Sequence, residues 1–269
     1  MRKTAALTVA ASMTLCSLAP AYAVNIDRTK VIEDLRPGQT VSGVITVSNS
    51  ALEEKRVRLY MEDFEYVEPY NGDKRILPPH TLDTSVAQMI KFNPFELTMP
   101  PSSNQRITYS ITAPDDFDSM RAGILFFESN MGEGLDESGQ AVKINARMGV
   151  LIFCNPAGVP PMAAMEQVTA TDSGLRGIVA NTGKRFFTAK GTYYILNENS
   201  IPVDRGSLNE LYVFPGDRAS FELAISDSLA AGEYFAVITY DLGQSEVAVS
   251  EVDFKVKQDG SIEILDTRN

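Results

Sequence analysis

Tryptophan is absent from the 269-residue chain, histidine occurs once, and cysteine twice, at Cys16 and Cys154. Each shortage closes off chemistry. Zinc and copper sites need clustered His or Cys ligands, and a Ser-His-Asp arrangement would depend on His80 alone. His80 stands between Pro79 and Thr81 in a turn-like stretch, and no nucleophile-elbow pattern occurs in the sequence. Asp115, Asp116 and Asp118, like Asp136 with Glu137, lack EF-hand spacing and read as solvated acidic turns. A Gly-rich phosphate cradle is missing. Met162 and Met165 flank a proline-rich stretch and are expected to pack at a domain junction rather than to hold copper. The sequence is therefore read as that of a protein that is not an enzyme and uses no cofactor or metal.

Positive charge is also scarce. Lys and Arg number 24 against 35 Asp and Glu, a formal charge of −11. A chain this acidic is repelled by phosphate backbones and anionic lipid, which argues against nucleic-acid binding by counterion release. The one long apolar run, residues 5–18, follows Arg2 and Lys3 and precedes Ala21-Tyr22-Ala23. It is too short to span a bilayer, where about 20 residues are needed, and together these features predict a secretory signal peptide over residues 1–23. Leu15 stands where a lipoprotein signal needs a small residue, so lipidation at Cys16 is discounted. Cleavage leaves 246 residues carrying −13, with 22 cationic and 35 anionic side chains. It also leaves Cys154 alone, so no intramolecular disulfide forms. An exported chain without disulfides gets its stability from buried cores, and Cys154 reads as a small buried hydrophobe.

What the mature chain does contain is strand patterning almost throughout. Val57, Leu59 and Met61 alternate with Arg56, Arg58, Tyr60 and Glu62; Ile107, Tyr109 and Ile111 alternate with Arg106, Thr108 and Ser110. This period of two marks half-buried antiparallel strands. With further runs near residues 41–47, 89–92, 123–127 and 142–153, seven short strands fit between Ile26 and Phe153, separated by turn chemistry at Asn71-Gly72 and Pro78-Pro79. Such spacing predicts an immunoglobulin-like β-sandwich. Residues 155–161 (NPAGVPP) read as a stiff linker, after which the pattern resumes over about 174–256. The expected fold is all-β: two immunoglobulin-like sandwiches, residues 24–155 and 162–257, joined by a short Pro-rich linker at 156–161. Residues 258–269 form a polar tail, with Ile262, Ile264 and Leu265 able to add an edge strand. The acidic stretch 132–140 (GEGLDESGQ) reads as a mobile hairpin loop.

The start Val24-Asn25-Ile26-Asp27-Arg28-Thr29-Lys30-Val31-Ile32, the run 123–128 (GILFFE), the long polar loop leading into an alternating strand that ends Ile152-Phe153-Cys154-Asn155-Pro156, and residues 234–243 occur in an order that resembles the periplasmic chaperones of pilus assembly. Those are two Ig-like domains set at an angle, with a first strand patterned Asp-Arg-Thr-Arg before apolar residues. The resemblance implies a periplasmic location and a chaperone that lends its seventh strand to an incomplete Ig-like subunit, which is β-augmentation. Here the lent side chains would be Val142, Ile144, Ala146 and Met148, with Lys143, Asn145 and Arg147 facing the other way. It further implies pilin-like exported subunits as partners, an outer-membrane usher beside them, and two basic residues that anchor the subunit's terminal carboxylate. The first of these falls on Lys30 and the second on Leu151, which carries no charge. An exposed seventh strand also opens self-association. The alternative reading is a structural or adhesive Ig-like envelope protein without chaperone activity.

Overall fold

The computed structural model describes residues 24–226 and 229–268, so the expected signal peptide lies outside the described residues. The first part of the chain forms β1 (Val24–Ile26), β2 (Lys30–Leu35), β3 (Thr40–Asn49), β4 (Lys55–Tyr66), β5 (Lys74–Leu77), β6 (Ile90–Asn93), β7 (Glu96–Met99), β8 (Ser103–Thr112), β9 (Arg121–Leu135) and β10 (Ala141–Pro156). One sheet has the order β1-β3-β8-β6; the facing sheet runs β2-β10-β9-β4-β5, with β7 also paired to β4. The alternation legible in the sequence decides which residues meet between them. Val57, Leu59, Ile107, Ile111, Leu125, Phe127, Val150, Ile152 and Cys154 all point into one core, and Arg56 and Arg58 point out.

The second sandwich is built from β11 (Ala163–Thr171), β12 (Gly174–Asn181), β13 (Phe187–Asn197), β14 (Pro202–Ser207), β15 (Leu211–Val213), β16 (Arg218–Ala224), β17 (Gly232–Gly243), β18 (Glu246–Val256) and β19 (Ile262–Arg268). Sheet β11-β12-β16 faces β14-β13-β17-β18-β19 across a core that includes Val179, Phe221, Ile238, Tyr240 and Phe254. The fold is thus all-β, with two packed sandwiches, as the patterning implied. The stretch expected as a tail supplies β19, because Ile262 and Ile264 pack against that second core. Met165 is buried in the same core while Met162 is 54% exposed, so neither methionine sits in the junction as expected.

The junction is filled by aromatic rings instead. Phe64, Tyr66 and Phe153 of the first sandwich meet Phe186 and Phe214 of the second. Phe153 and Phe186 stack with centroids 4.5 Å apart, and Phe214 lies edge-on to Phe64 at 5.5 Å and to Phe186 at 5.6 Å. Polar bonds frame the rings. The Tyr212 N–H donates to the Tyr70 carbonyl at 2.9 Å, Met120 N–H to Lys184 O at 2.9 Å, and Phe186 N–H to Asn155 Oδ1 at 3.2 Å. Arg185 pairs with Asp34 at 2.9 Å. On the second sandwich, Asn181 gathers the contact loops: its Nδ2 donates to the carbonyls of Arg185 and Val213, and its Oδ1 accepts from Gly183 N–H. Pro156 still belongs to β10, opposite Leu35, so the linker proper begins one residue later than the prolines suggest.

Candidate functional site: an open strand edge above a cationic cleft

The expected mobile loop at 132–140 is strand over its first four residues. β9 continues through Leu135 and β10 starts at Ala141, paired in register as Val142↔Gly134 and Ile144↔Gly132. Only residues 136–140 turn, and one side chain organises them: Asp136 Oδ1 accepts from Ser138 N–H, Ser138 Oγ and Gln140 N–H. Those bonds to the charged form hold the Asp136 carboxyl below its ordinary value. Local turn chemistry thus lets the hairpin extend as a two-stranded arm, since β4 pairs with β9 only as far as Val57↔Ser129.

The arm has two edges, and they differ. On β9 the register shifts opposite Ile144/Asn145, Gly132 adopts φ +122°, and its N–H is taken by Asn130 Oδ1 at 2.8 Å. A bulge of this kind blunts an edge against pairing. β10 carries no such device. β2 pairs with it in parallel, but only from Leu151↔Lys30 to Pro156↔Leu35. Among the described residues no strand pairs the same side of residues 141–150. Leu151 N–H donates to Thr29 O at 2.9 Å; groups alternate along a strand, so Gly149, Arg147, Asn145 and Lys143 direct their N–H and C=O toward the open side.

The sequence-predicted side chains divide along this strand. Val142 is 38% exposed and Ile144 51% exposed, both on the parity of the core residues Val150 and Ile152. Opposite them stand glycines, so the two side chains rise from bare backbone; a Cβ at Gly134 would come within 3.0 Å of Ile144 Cδ1. Ala146 is half-buried. Met148 already packs against the first core, so it has less surface to lend than Val142 and Ile144. On the opposite face, Arg147 pairs with Glu62 at 3.2 Å and lies 4.4 Å over the Phe126 ring. Glu128 accepts from Tyr60 Oη at 2.6 Å and from Asn145 Nδ2 at 2.8 Å.

The open edge ends where β2 begins, at Lys30. Its Nζ lies 5.8 Å over the Phe153 ring. Leu151, beside it, is half-buried against the junction rings and supplies no charge. A second cation does enter the cleft, from a residue sequence reasoning missed. Lys74 on β5 is half-buried, donates to Gly72 O at 2.6 Å and lies 4.9 Å over Tyr66. Burial and the neighbouring charge of Lys30 push its pKa down. Among the described residues no carboxylate pairs with either ammonium. Two ammonium groups beside a strand edge, with no carboxylate paired to either among the described residues, make this end of the edge locally attractive to negative charge. Lys74 follows an Asn71-Gly72 turn signal, but only the register Tyr66↔Lys74 brings it beside Tyr66.

The remaining candidates lie elsewhere. His80 is exposed in a turn with φ +66°. Cys154 is fully buried, and burial, with a smaller contribution from Glu33, pushes its thiol up to about 12.

No family model matches the chain, and no curated protein sequence matches it. Solved structures do. The class 5 fimbriae chaperone CfaA superposes with a TM-score of 0.51 at 15% identity, covering 90% of this chain and 98% of that one. A chain of a chaperone–tip adhesin complex of CFA/I fimbriae biogenesis gives a TM-score of 0.51 at 14% identity, covering 84% of this chain and 97% of that one. At such identities the likeness is one of architecture: this chain has the two-sandwich fold of the fimbrial chaperones.

Proposed function

We propose that this protein is a non-catalytic periplasmic chaperone of pilus-type subunits, which holds an incomplete exported subunit by β-strand donation along the open edge of β10. The observation that carries this reading is the unpaired side of residues 141–150, bearing two exposed apolar side chains and stopping at Lys30. Main-chain bonds to that edge are indifferent to the guest's sequence, and each contributes about 0.5–1.5 kcal/mol net. Burying the exposed halves of Val142 and Ile144 adds roughly 1 kcal/mol apiece. A guest strand running parallel to β10, as β2 does, brings its C-terminus to Lys30 and Lys74, where a carboxylate is attracted; the antiparallel arrangement would bring an ammonium there instead. A structural or adhesive spacer has no use for an apolar arm with one unprotected edge, which is an aggregation hazard unless a partner covers it.

Capture from the periplasm tests the proposal. The tagged mature protein should co-purify with a small exported subunit, identified by mass spectrometry. Val142→Asp and Ile144→Asp should each abolish recovery and leave circular dichroism and melting temperature unchanged. Recovery unaffected by both substitutions refutes strand donation.

A further inference from the structure

The charged residues on the open strand have a consequence for what can pair with it. Lys143, Asn145 and Arg147 share the face of β10 opposite Val142 and Ile144. The carboxylates that balance them sit farther back: Glu133 and Glu128 on β9 are the register partners of Lys143 and Arg147, and Glu62 on β4 pairs with Arg147. The row at the rim itself is therefore cationic on a strongly acidic protein. Cross-strand neighbours on one face are close enough for like charges to repel and unlike charges to attract.

Resting on the strand-donation reading, we infer that this row selects the guest strand: it accepts a segment with carboxylates at two set positions and rejects a second copy of the same edge. Two-fold antiparallel pairing of β10 with itself, centred on Asn145, matches Val142 with Met148 and Ile144 with Ala146, which is favourable. It also sets Lys143 against Arg147 twice, which is not. Charge on an edge strand is a common guard against such self-pairing. For a parallel guest, β2 supplies a fixed stop, because it occupies the edge from Leu151 onward. A guest whose last residue lies beside Val150 places its third residue before the last against Arg147 and its seventh against Lys143. The complementary partner is thus an extended C-terminal segment with alternating apolar residues, acidic side chains at those two positions and a free carboxylate.

The test uses the full mature chain and synthetic ten-residue peptides with a free C-terminal carboxylate and the same alternating Val and Ile. The peptides differ only at the third and seventh residues before the last, both Glu in one and both Lys in the other. Fluorescence anisotropy at low salt should give roughly five- to tenfold tighter binding for the glutamate peptide, narrowing to within about twofold at 1 M salt. Lys143→Glu, an exposed change, should cancel most of the preference between the two peptides, because the third and seventh positions then favour opposite charges. It should also convert a monomer in sedimentation into a self-associating species, because opposite charges then face each other across the two-fold. Equal binding of both peptides overturns the inference and leaves strand donation standing. Binding of neither overturns both. Dimers of the unaltered chain that Ile144→Asp dissolves overturn the rejection of self.

Discussion

Truncating Phe186 to alanine is expected to uncouple the two sandwiches. Its ring is buried, stacks on Phe153 at 4.5 Å with an interplanar angle of 10°, and meets Phe214 edge-on at 5.6 Å. Phe→Ala changes in packed interiors cost about 3–5 kcal/mol, and each lost aromatic pair removes about 0.5–1.5 kcal/mol beyond area burial. Two sandwiches can close partly on the void, so the low end, about 3 kcal/mol, applies here. Most of that energy belongs to contacts between the halves, because Phe186 stacks on Phe153 and Tyr66 of the first sandwich and only its edge contact with Phe214 lies within the second. Urea denaturation followed by tyrosine fluorescence and circular dichroism should show one cooperative transition for the unaltered protein and two separated ones for the variant. The first should shift by about 6–12 °C in the corresponding thermal scan. A single transition with its midpoint unmoved would show that the rings fill space without coupling the domains, and the account of the junction would fail. The same variant should weaken guest binding without any change on the arm, since Phe153 lies beneath Lys30.

Other consequences are as direct. Burial, reinforced by nearby Glu65, raises the Asp217 carboxyl from its ordinary 3.8 to about 6. The protonated form therefore suits the fold better, and its contribution is complete below about pH 4 and lost as pH rises through 6. Asp217→Asn should stabilise the protein at pH 7.5 by on the order of 1–2 kcal/mol and flatten the stability profile between pH 4 and 6. A profile identical to that of the unaltered chain contradicts this. The Cys154 thiol, buried and pushed up to about 12, should resist maleimide at pH 8 in the native state and react at once on unfolding in urea. Rapid native labelling would mean the first core opens far more often than its packing implies.

Most of the architecture was legible because a β-strand that faces a core on one side writes its orientation into alternate residues. Val57 and Leu59 against Arg56 and Arg58 are enough to orient β4, and the same logic set Val142 and Ile144 on one face of β10. What escaped depends on register and on turn bonding. Residues 132–135 carry glycines and a carboxylate, which read as loop; they are strand because Asp136 closes the turn and β10 offers a partner. Lys74 is 44 positions from Lys30 in sequence, and only the pairing Tyr66↔Lys74 brings it into the cleft. Met165 looked like a junction residue by its distance from the prolines, yet strand parity turns it inward, opposite Val179.

The side-chain amide of Asn181 ties together the backbone segments that carry Lys184, Arg185, Phe186 and Phe214 to the neighbouring sandwich. Those segments must consequently shift as a single block or not at all. Residues 157–161 are the covalent connection between the sandwiches, and separating the two must break the contacts of the whole block rather than those of one loop.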